Sequence, residues 1–217
     1  MLGVYDSGMG GKFAASYLST LVDEEVHLLT DYKNAPFGTK DVSELVPVLE
    51  RAVNTLSGIG VRKALLACCT MCTVLPFADE ECKRYMFPIT EHVARAAYSK
   101  TKNGKIAVIA TERTVASGEF TKLLRKLCPD ASVREIPTQY IVEIAESDTP
   151  PTRLQQQMLM KTGEEICSSG ADCLILGCTH FSAVKDFFKE KLSGVAVIDS
   201  ALVGALAFAE EINKIKK

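Results

Sequence analysis

Short apolar runs and longer amphipathic stretches alternate along the whole chain. Runs of strand length stand at 2–5, 26–30, 61–66, 86–89, 106–110, 132–136, 173–176 and 195–198. Between them helical spacing recurs. Phe13, Tyr17, Leu18 and Leu21 share one face of 12–21, and Phe120, Leu123, Leu124 and Leu127 fall at i, i+3, i+4 and i+7. Further helices are expected at 41–56 (interrupted or kinked near Pro47), 80–84, 91–97, 139–145, from Pro150-Pro151 through 166, at 182–192 and at 201–215. Regular alternation of strand and helix predicts an α/β chain with mainly parallel sheets. The order is also roughly duplicated. Each half opens with a strand running into a polar turn (Asp6-Ser7, then Thr111 to Thr114), and in each a later strand ends in cysteine. The expectation is two similar doubly wound domains with the active site in the cleft between them.

Those two cysteine ends are the main chemical signal. Ala67-Cys68-Cys69-Thr70-Met71-Cys72 follows one buried run, and Gly177-Cys178-Thr179-His180 follows another. Strand C-termini are where open α/β sheets keep their binding crevice, so two thiols are expected to face a shared space. A thiol of pKa ~8.5 is mostly protonated at neutral pH, yet forming its thiolate costs only about 2 kcal/mol. Two such groups on one carbon could remove a proton from one face and supply one to the other, which inverts a stereocentre. The carbanion between those steps needs preorganised donors at the substrate carboxylate. Backbone N–H groups and the hydroxyls of Ser7, Thr70, Thr111 and Thr179 are the candidates. His180, two residues beyond Cys178, suits acid/base work.

The turn Asp6-Ser7-Gly8-Met9-Gly10-Gly11 joins a strand to a helix, a combination that can hold an anion. A plain tight connection reads these residues equally well. The polar loop 31–40, with Pro36 and Gly38, has a length that usually serves a site. Cys82, Cys128, Cys167 and Cys173 read as small hydrophobes. Cys69 and Cys72 have metal-ligand spacing, but with no second Cys-x-x-Cys pair no metal is expected. His27 and His92 read as structural, and Glu143 as either a solvated helix residue or part of the cleft wall. The Glu and Lys clusters at 23–25 and 209–217 read as solvated helix ends.

Composition narrows the class without choosing the chemistry. With 217 residues, 47% hydrophobic and 24% charged, the chain can bury one large core or two small ones. A net charge of −2 and the lack of a Lys/Arg stripe argue against nucleic acid as a partner. No signal peptide is expected, no apolar run approaches membrane-spanning length, and eight cysteines without a secretory signal suit a reducing compartment. The expected location is cytoplasmic.

Five motifs in order, Asp6 to Gly11, Pro36-Phe37-Gly38, Ala67 to Thr70, Ala110 to Thr114 and Leu176 to His180, resemble the glutamate racemase pattern, and the likeness continues to Asp199-Ser200. The resemblance implies cofactor-independent interconversion of L- and D-glutamate, supplying D-glutamate for bacterial peptidoglycan. It implies Cys68 and Cys178 as the acid/base thiols, with Asp6 assisting Cys68 and His180 assisting Cys178. Ser7, Phe37, Gly38, Cys69, Thr70, Thr111 and Thr179 would bind or adjoin the amino acid. It also implies domains at 1–92 with 200–217 and at 93–199, a small-molecule amino-acid partner, and the homodimer common in the family. The start is short for the family, so no activator site for a cell-wall precursor is expected.

Three positions depart from the pattern. Cys69 stands where the family usually has Asn, Phe37 where it has Tyr, and Phe181-Ser182 where it has Tyr-Pro. These departures motivate alternatives: a racemase for another acidic amino acid such as aspartate, one for a hydantoin-like substrate, or an amino-acid-binding homologue with impaired catalysis. A thiol redox or zinc protein using Cys68, Cys69 and Cys72 is a further one.

Overall fold

The computed structural model describes residues 1–215. Its first half runs β1 (Leu2–Asp6), α1 (Met9–Ser19), β2 (Val26–Thr30), α2 (Val42–Gly58), β3 (Ala64–Leu66), α3 (Cys69–Cys72), α4 (Glu80–Tyr85) and β4 (Met86–Pro88). The second continues with α5 (Thr90–Lys100), β5 (Lys105–Ala110), α6 (Glu112–Ser117), α7 (Glu119–Leu127), β6 (Ser132–Pro137), α8 (Tyr140–Glu146), α9 (Arg153–Ser168), β7 (Cys173–Leu176), α10 (Lys185–Lys191), β8 (Ala196–Asp199) and α11 (Ser200–Ile215). Two four-stranded sheets result, ordered β2-β1-β3-β4 and β6-β5-β7-β8, with every pairing parallel. The second order repeats the first, as the duplicated sequence pattern predicts. All four C-terminal strand ends of a sheet therefore lie on one edge, where parallel sheets place their sites.

Residue alternation along β5 decides what each face of the second sheet packs against. Ile106, Val108 and Ala110 join a core shared with the first sheet, α5 and α11. Ala107 and Ile109 turn the other way, into a separate core with Ile141, Leu159 and Phe188 from α8, α9 and α10. The chain's last helix, α11, packs on α1 and α5, so it returns to the first half. Positions 216 and 217 of the expected 200–217 segment, and of the 209–217 charge cluster, lie outside the described residues. A boundary at residue 92 falls inside α5, which touches α7 and α11 as well as β7 and β8.

Several boundaries differ from the pattern-based expectation. Helix α1 begins at Met9, inside the glycine-rich turn, because Gly10 and Gly11 have no side chain to collide with the elements beside them. Helix α2 runs from Val42 to Gly58 with Pro47 inside it. The capping box of Asp41 and Glu44, and burial of Leu45, Leu49, Val53 and Leu56, offset the hydrogen bond that the proline forgoes. Residues 69–72 form a one-turn helix that no periodicity announces. The expected helix at 182–192 is instead a 3-10 turn over Thr179–Val184 followed by α10.

Candidate active site

From the first sheet, β1 ends at Asp6, whose carboxylate is fully buried. Its Oδ1 accepts the Gly8 N–H at 3.0 Å and its Oδ2 accepts the Thr179 hydroxyl at 2.8 Å. Burial raises the Asp6 pKa, while the His180 charge and these two donors hold it back. Strand β3 delivers Cys68 as the extended residue just before α3. Burial pushes the Cys68 thiol well up, and the charges of Asp6 and Cys178 add to the effect. Thr70 Oγ1 lies 3.0 Å from Thr111 Oγ1 and 3.3 Å from Thr114 Oγ1, with Thr111 and Thr114 at 2.9 Å. These three buried hydroxyls close a ring between the two halves.

From the second sheet, β7 delivers Cys178, and the 3-10 turn behind it brings His180 back over the sulfur. His180 Nδ1 is 3.7 Å from Cys178 Sγ, and Nε2 is 2.6 Å from Glu146 Oε1. The same Glu146 oxygen accepts the Met9 N–H at 2.7 Å, tying α8 to the start of α1. Burial alone would lower the His180 pKa; Cys178, Glu146 and Asp6 outweigh it and raise the pKa to about 11. Glu146 is correspondingly held below the usual carboxylate range, chiefly by its bond to His180. Glu146, His180 and Cys178 thus form a relay with both ring nitrogens engaged.

One cavity of about 260 Å³ receives both arms. Sites for drug-sized ligands run to roughly 300–1,000 Å³, so this one suits a small metabolite. Cys68, Cys178, His180, Ser7, Phe37, Gly38, Thr70 and Thr111 all stand on its wall. Asp6 sits one layer behind, against Thr179.

Two residues expected beside the substrate are not on the wall. Thr179 has its hydroxyl committed to Asp6. Cys69 opens α3 and is buried off the cavity wall, with Ser200 beside it. Pattern reading also missed Glu146, Gln139, Tyr32 and Val142, all on the wall. It singled out Glu143, which is exposed. The one available signal for Glu146 was its place at the end of α8, where the helix dipole disfavours an acid. Among the described residues, no group of three or more His, Cys, Asp or Glu is arranged to hold a metal ion.

The family model described as Asp/Glu/hydantoin racemase matches residues 17–207. Glutamate racemase 1 of Caldanaerobacter subterraneus is 31% identical over 98% of this chain and 79% of its own length. The crystal structure of glutamate racemase isoform RacE1 from Bacillus anthracis superposes with a TM-score of 0.84 at 26% identity, covering 99% of this chain and 82% of that one. The Francisella tularensis glutamate racemase, solved with D-glutamate, gives 0.85 at 22% identity, covering 99% of this chain and 81% of that one. At that identity the likeness speaks for the fold alone.

Proposed function

The chain belongs to the Asp/Glu/hydantoin racemase family, and from that premise we propose that it racemises glutamate with two thiols and no cofactor. The observation that carries this reading is one cysteine from each sheet on the wall of a single small cavity. Cys68 and Cys178 are its acid/base pair. His180, backed by Glu146, serves Cys178, and Asp6 serves Cys68. Ser7, Phe37, Gly38, Thr70 and Thr111 shape the binding site, while Thr179 acts through Asp6.

An imidazolium 3.7 Å from Cys178 Sγ stabilises negative charge on that sulfur. Cys68, buried beside a carboxylate, is held as the neutral thiol. In one direction the Cys178 thiolate takes the α-proton, and the C–H electron pair stays on carbon, delocalised into the carboxylate. Cys68 then gives its proton to the opposite face and is left as thiolate. The mirror-image substrate runs the same steps with the roles exchanged. The pair is reset when Cys178 releases its new proton to solvent and the Cys68 thiolate takes one up.

The same reading assigns the product to peptidoglycan synthesis in the cytoplasm. No helix among the described residues is long and apolar enough to cross a membrane. It also divides the chain into domains at 1–92 with 200–217 and at 93–199.

The test is chirality-resolved turnover of L- and D-glutamate, with aspartate and other amino acids as a panel. Glutamate is expected to interconvert. Cys68→Ser and Cys178→Ser should each abolish this, while Cys82→Ser, in α4 and off the cavity wall, should not. Inert glutamate alongside another active amino acid would replace the substrate, and an inert panel would remove the activity.

A further inference from the structure

Gln139 lines the cavity with a side-chain amide whose oxygen has no hydrogen-bond partner among the described residues. It directly precedes α8, and its Oε1 is shut off from solvent without a hydrogen-bond partner. That oxygen lies against Gly38, on the loop of the other half: a Cβ at Gly38 would collide with it and come within 2.8 Å of Thr111 Cβ. With the oxygen turned into the wall, the two amide N–H groups are what Gln139 offers to the cavity it lines. Its polar neighbours offer little to a ligand, since the hydroxyls of Thr70, Thr111 and Thr114 bind one another in a ring. Phe37, on the same wall, brings no donor.

Resting on the racemase reading above, we propose that Gln139 recognises the side-chain carboxylate of the bound amino acid through its amide N–H. Position selects that carboxylate over the one on the α-carbon. The reacting carbon has to lie at the two sulfurs, whereas Gln139 follows β6, which β5 separates from β7, the strand that delivers Cys178, and packs against Gly38 on the loop of the other half. It therefore meets the part of the substrate that extends away from the chemistry. Hydrogen bonds to a charged group are the strong class, so this contact separates an acidic side chain from its neutral amide.

The experiment measures kcat and KM for L-glutamate, and the inhibition constant of L-glutamine as a competitor. It compares the wild-type protein with Gln139→Leu and Gln139→Glu, with melting temperatures alongside. Gln139→Leu is expected to lose about 10- to 100-fold in kcat/KM for glutamate, mostly through KM, as for a contact made equally in ground and transition states. Glutamine binding should change far less. Gln139→Glu, which sets like charge against the carboxylate, should bind glutamine better than glutamate. A Gln139→Leu protein within threefold of wild type on glutamate, or one weakened equally toward both ligands, overturns the proposal while leaving the racemase reading intact. Should the wild-type protein fail to turn glutamate over, the glutamate reading falls by itself. Calorimetric Kd values of glutamate for wild type and Gln139→Leu then decide the contact, and equal or absent binding in both overturns it.

Discussion

At the scale of single residues, His180 has the environment with the plainest consequence. Its folded pKa of about 11 stands above the ordinary ~6.5. The stability linked to its charge is therefore whole below about pH 6.5 and is lost as pH rises through the folded value. Across the neutral range the native imidazole stays cationic, so kcat/KM should show no histidine limb between about pH 6 and 8. Glu146→Gln removes one of the groups that raise this pKa. The His180 pKa should drop, so the imidazolium beside Cys178 should be lost at lower pH than in the wild-type protein, and the alkaline fall of the rate should move down with it. Parallel pH–rate profiles for the two proteins would mean that Glu146 does not govern the histidine. This relay is the part of the site least legible from sequence. Cys68, Cys178 and His180 are readable because each sits at or just after a strand end. Glu146 is 34 positions from His180 and meets it only through the packing of α8 on the 3-10 turn. The direction of a side chain was no easier to read: Cys69 and Thr179 adjoin Cys68 and Cys178 in sequence, yet neither reaches the cavity wall.

At the scale of elements, the start of α1 decides how closely the halves can meet. A Cβ at Gly10 would collide with Thr179 Oγ1 and lie 2.7 Å from His180 Nδ1 and 2.8 Å from its backbone nitrogen. One at Gly11 would lie 2.7 Å from Asp6 Cβ. Neither glycine is needed for a left-handed φ, since the positive-φ glycines lie elsewhere; both are needed for room. Gly10→Ala must push α1 away from the turn that carries His180, and displacements of about 1 Å at a site can lower rates by 10²-fold. A loss of that order in kcat/KM is expected. Gly58→Ala is the control: it closes α2 with nothing within 4 Å of its added carbon. It should leave turnover unchanged and stabilise by up to about 1 kcal/mol, read as a higher Tm. Equal activity in the two variants would show that the site tolerates movement of α1. The strand–helix alternation was legible because buried parallel strands read as apolar runs and α7 carries a clean 3.6-residue repeat. The glycine-rich turn was legible only as a turn, because the neighbours that crowd Gly10 (Thr179 and His180) come from the far half of the chain, and those that crowd Gly11 (Asp6 and Leu28) meet it only once α1 packs on the first sheet.

At the scale of the whole molecule, the repeated strand order gives the site its two-sided form. In each sheet the strand pairs around β1 and β5 are equivalent, and Cys68 follows β3 as Cys178 follows β7. Equivalent positions of the two units thus each put a cysteine on the wall of the shared cavity. The halves are tied together away from the sulfurs as well. Buried Asp199 accepts Ser182 Oγ at 2.7 Å and Lys185 Nζ at 3.2 Å, and Lys185 also donates to Tyr17 of α1 at 3.1 Å. Such an arrangement makes a specific isotopic prediction. If each sulfur serves one face, the proton removed from the substrate goes to one thiol, and the proton delivered comes from the other, which has equilibrated with solvent. In deuterated water, early in the reaction, product glutamate should carry deuterium at the α-carbon while recovered substrate stays largely protiated. The same should hold starting from either enantiomer. A single sulfur acting on both faces would instead return its own captured proton, so product would retain protium or substrate and product would exchange together. Mass spectrometry of the separated enantiomers at low conversion distinguishes these outcomes, and label appearing equally in both pools would contradict a division of labour between the two sheets.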